Sequence, residues 1–259
     1  MIVLIVVGRA AVGQDAASKP EALRSIEILG AQFRVTTAGG RVLPQQELVG
    51  AVLSYRDGDR VTPVRVDRVF ADPKDKAGNL LLYGFSIRDD ATGDWREMCE
   101  PDADGVRAGF PLQLGEGGGF VLTCTSGGQG KCVRFGYKPW ATGRDGAPLL
   151  AHWQACIRMV RADYCGDGEP HTRDGTLIDM YDKLGIQKEG AAEGMQFEAA
   201  WGPQGAICVR RVRIGDIFSL EALGAGCKRL KPEDIGEACT EARMMQDPGA
   251  LLLNKSFVK

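Results

Sequence analysis

The rhythm of hydrophobic and polar positions changes twice along this chain. Between Ile26 and Thr125, short runs rich in Val, Leu, Phe and Tyr recur at Gln32–Thr37, Leu48–Tyr55, Arg60–Phe70, Leu80–Arg88 and Phe120–Thr125. Turn residues separate them: Ala38-Gly39-Gly40, Asp57-Gly58, Asp72-Pro73, the stretch from Asp89 to Asp94, and Gly117-Gly118-Gly119. Short apolar runs bounded by residues that accept tight backbone turns read as strands. In the third run, Val64, Val66 and Val69 are interleaved with Arg65, Asp67 and Arg68, which predicts a strand with one wet face.

The period then becomes helical. Leu149, Trp153, Cys156, Ile157, Val160 and Tyr164 fall on one face of an α-helix, with Gln154, Arg158 and Arg161 on the outer side. Pro148 suits its first turn and Gly166 its stop. Further on, Phe197-Glu198-Ala199-Ala200-Trp201 and Ala206-Ile207-Cys208-Val209-Arg210 flank Gly202-Pro203-Gln204-Gly205, the pattern of a β-hairpin. Pro232 to Arg243 reads as a second helix, with Asp247-Pro248-Gly249 beyond its end. No internal repeat is present. The expected fold class is α+β: a β-rich N-terminal half (26–125), a central amphipathic helix followed by a loop (146–182), and a C-terminal part (183–259) that carries the hairpin.

Composition adds compartment and excludes some partners. The 259 residues are 44% hydrophobic and 25% charged, an ordinary globular balance. A formal net charge of −2 and the lack of a dense Lys/Arg run argue against nucleic acid. The 35 glycines favour turns and short strands. Residues 1–13 read as a truncated signal peptide: Met1 to Val7 is apolar, and Ala11-Val12-Gly13 places small residues before Gln14. Its basic start is absent, so the true start codon is expected upstream. Residues 14–25 read as a linker, and 26–259 as a single globular unit. No membrane span is expected, since no other stretch approaches ~20 apolar residues.

Eight cysteines stand against only two histidines, with no C-x-x-C pair. That fits disulfides in an oxidising compartment better than a closed zinc site, so a periplasmic or secreted location is expected. Cys124 and Cys132 enclose a glycine-rich loop that folds back easily, and Cys227 and Cys239 can pair if the helix starting near Pro232 folds back; these are the two bridges expected first. Cys156 and Cys165, nine residues apart, would stand ~13 Å apart on a continuous helix, whereas a bridge needs Cα atoms within ~7 Å. They pair with each other only if the helix ends before Tyr164. Otherwise Cys99 and Cys208 are the candidate partners. Eight cysteines allow ~105 full pairings, so the connectivity stays open.

The chemistry is densest from Ala162 to Asp182. Cys165 beside His171, with Asp167, Asp174 or Asp179 to orient the ring, is the minimum for a cysteine nucleophile. The plainer reading is a bridged Cys165 and a loop histidine, and an oxidising compartment favours it. His152 and Cys156 are helical neighbours, yet Cys156 lies on the apolar face. Asp163, Asp167, Asp174 and Asp179 suggest a cation loop without matching an EF-hand, and aspartate beside glycine is also how turns are made. No metal or other cofactor is expected. Tyr137, Trp140, Trp153 and Trp201 suit a groove for glycan or peptide equally as well as a core. Two glycine-rich pieces invite a phosphate-loop reading. Leu114 to Gly119 precedes a strand rather than a helix, and Gly127 to Lys131 is followed by Cys132 instead of Ser or Thr. Both are expected to be turns. There is no G-x-S-x-G elbow.

The segment from Ala151 to Gly168, AHWQACIRMVRADYCGDG, resembles the hallmark of the ADYC-domain proteins, named after the residues at Ala162–Cys165. Three further blocks are similar to that family: Cys124-Thr125 and Lys131-Cys132 followed by Gly136-Tyr137-Lys138-Pro139-Trp140; Gly175-Thr176-Leu177-Ile178-Asp179; and Phe197 to Trp201 with Cys208. Together they span about Gly30 to Ile214. The resemblance implies a bacterial, exported protein with paired cysteines, and it assigns no catalytic residue. No Cys follows the N-terminal apolar stretch, so a lipid anchor is not supported. The function expected first is an exported, disulfide-stabilised binding or structural module of the cell envelope. Its recognition surface would be the 162–182 loop and its partner an envelope protein or glycan. The alternative is an envelope hydrolase or transferase using Cys165, His171 and Asp167.

Overall fold

A computed structural model describes residues 22–57, 60–113, 119–190 and 193–257. The signal-peptide segment, most of the linker and the Leu114–Gly118 loop lie outside the described residues. By density of contacts the chain divides into two compact units, residues 1–130 and 131–259.

Among the described residues the first unit is built mainly of strands, with a 3-10 turn at Gln45–Leu48. Strands β1 (Leu23–Leu29) and β2 (Gln32–Thr37) form an antiparallel hairpin. A second, antiparallel sheet runs in the order β3 (Val52–Asp57), β4 (Arg60–Ala71), β5 (Leu81–Arg88), β7 (Gly109–Gln113), β8 (Phe120–Cys124), and the short β6 (Trp95–Glu97) pairs with β5. Phe33 of the hairpin holds the two sheets together. Its ring meets Tyr83 at 5.3 Å and Phe120 at 5.9 Å, both edge to face. Such aromatic edges are worth ~0.5–1.5 kcal/mol beyond their burial. A bulge between Val66 and Arg68 explains the valine pattern in β4. The extra residue restores Val69 to the same buried side as Val64 and Val66, so the spacing passes from two to three. Cys99 and Cys124 are joined inside this unit.

Helix α1 (Gly128–Arg134) stands where turns were expected. Its Gly130 is required for packing: a Cβ there would lie 2.2 Å from the Cys124 carbonyl oxygen. The helix carries Cys132 to Cys156, and Cys124 bonds Cys99 instead of closing the local loop.

In the second unit, α2 (Leu150–Arg161) packs over β10 (Met195–Gly202), β11 (Gly205–Val209) and β12 (Leu252–Phe257). With β9 (Ile178–Asp182) these strands form an antiparallel sheet in the order β11-β10-β12-β9. The expected hairpin is therefore present, and the strand that completes its sheet comes from the end of the chain. On the sheet's other face Tyr181, Phe197, Ala200 and Leu253 form a core with Cys208, Cys239 and Met244. The helix expected from Pro232 to Arg243 is broken. Short 3-10 turns occupy Pro232–Asp234 and Gly236–Ala238, and α3 (Leu220–Gly226) and α4 (Glu241–Gln246) flank them. Ile235 bridges Val209 in extended conformation, and Gly236 takes a positive φ of 68°, so a continuous helix cannot pass. Among the described residues no helix is long and apolar enough to cross a membrane.

Candidate functional site

The segment Ala162–Asp182 begins where α2 ends. Ala162 is fully buried and left-handed (φ 51°, ψ 39°), and its N–H reaches back to the Arg158 and Met159 carbonyls. This cap, not Gly166, stops the helix. A side chain at such a φ is costly, and alanine is the smallest that still fills the site. Asp163 follows, fully buried, and organises the turn. One carboxylate oxygen accepts from the Gly166 N–H at 2.8 Å, and the other accepts from the Gly168 N–H at 3.1 Å and from the Arg158 guanidinium.

Tyr164 turns inward. Its ring stacks on Trp201 at 5.2 Å, and its hydroxyl donates to Glu198 at 3.1 Å while accepting from the Arg213 N–H at 2.8 Å. Glu198 sits at a bulge of β10, between Phe197 and Ala199, which sends its side chain to the α2 side of the sheet. There it meets the Arg213 guanidinium through two bonds of 3.0 Å and accepts from Ser256 Oγ at 2.6 Å. Arg213 also donates to the Met159 and Val160 carbonyls at the end of α2. Burial pushes the Tyr164 hydroxyl well above its usual range, and Glu198 adds to that. For Arg213 burial acts downward, but the Glu198 charge outweighs it and the guanidinium stays protonated.

The remaining loop is pinned at several points. Cys165 bonds Cys227, with Cα atoms 5.2 Å apart. At Gly166 (φ 75°) a Cβ would fall 1.7 Å from the Gln204 carbonyl oxygen, so the β10–β11 turn lies directly against the loop backbone. The His171 ring stacks on Phe218 at 3.8 Å. Asp167 accepts from the Glu169 N–H, and Asp179 accepts from the Gly190 N–H across the β9 edge. Asp174 is exposed. The sequence candidates are thus held in separate local roles. Among the described residues no group of three or more His, Cys, Asp or Glu is arranged to hold a metal ion. Three of the four aromatic candidates, Tyr137, Trp153 and Trp201, are buried, while Trp140 is exposed. His152 packs parallel to Tyr137, with Cys156 committed to Cys132.

All eight cysteines are paired: Cys99–Cys124, Cys132–Cys156, Cys165–Cys227 and Cys208–Cys239, so Cys227 and Cys239 do not bond each other as expected, because the segment between them is no continuous helix and each packs against a different element. A family model of the ADYC domain matches residues 45–215. The chain belongs to the ADYC domain family. The residues that name the ADYC domain each have a structural task here: a left-handed cap, a turn-organising carboxylate, a tyrosine in the buried ionic cluster and a disulfide. No curated protein and no solved structure matches the chain. The partners of Tyr164 were not visible from spacing. The available clue was Glu198 itself, a lone carboxylate inside the apolar run of β10.

What the ADYC loop presents outward is different. Gly175, Thr176 and Leu177 line a small pocket of about 200 Å3 together with Phe257 and the buried Arg213 and Ser256. Leu177 is 66% exposed and Phe257 41%. The pocket holds a single side chain more readily than a whole small-molecule ligand, whose sites run to ~300–1,000 Å3.

Proposed function

We propose that this ADYC-domain protein is an exported binding module of the bacterial cell envelope, and that the 162–182 loop recognises a protein partner. The observation that carries this reading is the contrast between the loop's two sides. Inward, it is fixed by Cys165–Cys227, the Asp163 turn and the Tyr164 cluster. Outward, it offers the apolar lip of Leu177 and Phe257 around a pocket the size of one side chain. A pre-ordered surface binds without first losing loop entropy. Four disulfides fit an oxidising compartment, which favours a periplasmic or secreted location. The hydrolase reading needs a thiolate at Cys165, and that sulfur is bonded to Cys227.

Two measurements test this. Thiol titration of the denatured, unreduced protein is expected to find no free thiol. A reactive thiol at Cys165, with an activity lost in Cys165→Ala, would favour the enzyme instead. A photo-crosslinking amino acid at Leu177, in cells that export the protein, is expected to give one adduct of defined mass, absent when the probe sits at exposed Thr92. Equal labelling from both positions would remove the loop from recognition.

A further inference from the structure

The second unit holds a larger cleft, distinct from the motif loop. Its volume is about 650 Å3, within the range of small-molecule sites. Phe197 and Leu220 supply apolar wall, and Arg210, Arg211, Glu237 and Glu241 bring two charges of each sign. These charges are not equally satisfied. Arg210 pairs with Glu237, and Glu241 accepts from the Tyr181 hydroxyl and lies 3.5 Å from the Lys255 ammonium. Arg211 makes no ion pair among the described residues, although the Glu198 charge lies within electrostatic reach of it. It donates to the Phe257, Gln196 and Ser256 carbonyls and to Ser256 Oγ, and its Nε has no acceptor. Burial draws this guanidinium below its usual range, as expected for a desolvated cation.

A ligand carboxylate would give this guanidinium a directly paired counter-charge, which the Glu198 carboxylate, committed to Arg213, does not. A bare anion, however, would also face Glu237 and Glu241. Glu237 is almost fully exposed and Glu241 partly so, and either can receive an ammonium group. We infer that this cleft is a binding site for a zwitterionic ligand of the α-amino acid class, its carboxylate toward Arg211, its ammonium toward Glu237 and Glu241, and its apolar side chain against Phe197 and Leu220. The net-neutral lining suits a net-neutral ligand that carries both charges. More than half of this wall, including Leu220, Glu237 and Glu241, lies beyond the segment 45–215 matched by the family. The site is thus a property of this chain's C-terminal part as well as of the family domain.

The test is titration of the intact oxidised protein, followed by ligand-observed NMR, with three probes: L-leucine, N-acetyl-L-leucine and L-leucinamide. L-leucine is expected to bind in the millimolar range or tighter, and each singly charged analogue at least tenfold more weakly. Leu220→Trp, which fills the cleft from a partly exposed position, is expected to abolish L-leucine binding with the circular dichroism spectrum unchanged. Arg211→Gln is expected to erase the preference of L-leucine over L-leucinamide. Should Arg211→Gln fail to fold, the probe series and Leu220→Trp still decide. The inference is overturned if L-leucine does not bind, if either analogue binds equally well, or if folded Leu220→Trp binds as the parent does.

Discussion

Glu198 is a carboxylate with no exposed surface, and its partners decide what its loss would cost. Glu198→Gln leaves the Arg213 guanidinium buried without a counter-ion, a change worth about 3–5 kcal/mol of stability. Tyr164→Phe deletes one hydroxyl and leaves the Arg213 N–H without its acceptor, for about 1–3 kcal/mol. Urea unfolding followed by tryptophan fluorescence should rank the two in that order. His152 is the second residue with a measurable consequence. Its Nδ1 has no hydrogen-bond partner among the described residues, and burial lowers its pKa against the opposing pull of Asp182 and Asp145. The folded state therefore favours the neutral ring. Its contribution is complete above the ordinary histidine value of ~6.5 and is lost as pH falls toward the lowered folded value. Urea midpoints measured between pH 7.5 and 5 should decline more steeply for the parent than for His152→Gln. At this scale the sequence revealed which residues were unusual, but not their partners. Cys165 and His171 are only six positions apart in the chain, whereas Tyr164 depends on Glu198, Arg213 and Trp201, which only the fold brings near.

Element boundaries were most legible where one period ran without interruption. Gln32–Thr37 and the helix through Trp153 follow such patterns, and the strand from Arg60 follows one on either side of its bulge. Others escaped because a local event broke the period. The bulge at Glu198 places Phe197 and Ala200 on one face, three residues apart, so β10 has neither helical nor strict strand alternation. The helix expected across 232–243 carries suitable residues but is cut by the Val209–Ile235 bridge. β12 is short, and nothing near it in sequence indicates its partners. Contact between elements also sets the tolerance of glycines. Gly166→Ala would drive a Cβ into the Gln204 carbonyl, whereas Gly168, also at positive φ, faces open space. Thermal unfolding should show Gly168→Ala losing about 1 kcal/mol and Gly166→Ala several times more. The disulfides were the least legible elements, because each links segments that packing, not proximity in sequence, brings together.

The segment 45–215 does not contain a complete second unit. β12 lies between β10 and β9, and Cys227 and Cys239 supply half of two disulfides. A chain cut after residue 215 would lose the strand joining β9 to the rest of its sheet. The expected result is a loss of cooperative unfolding in the second unit, while the Cys99–Cys124 unit keeps its own transition; scanning calorimetry of the two chains checks this. The bridges Cys165–Cys227 and Cys208–Cys239 also interleave, since Cys208 lies between 165 and 227. Oxidation in order of appearance would join Cys165 to Cys208. Refolding of the reduced protein should therefore give a higher native yield in a thiol–disulfide shuffling buffer than under oxidant alone, as read by peptide mapping.

The place of β12 has a consequence for the order of events during synthesis. β12 follows β9, β10 and β11 in the chain yet lies in the middle of their sheet, so β9 and β10 have no bridge between them until residue 257 has left the ribosome. A nascent chain of this kind cannot close its second unit early. The three disulfides of that unit, Cys132–Cys156, Cys165–Cys227 and Cys208–Cys239, are therefore set in a fold that is complete only once β12 has been made.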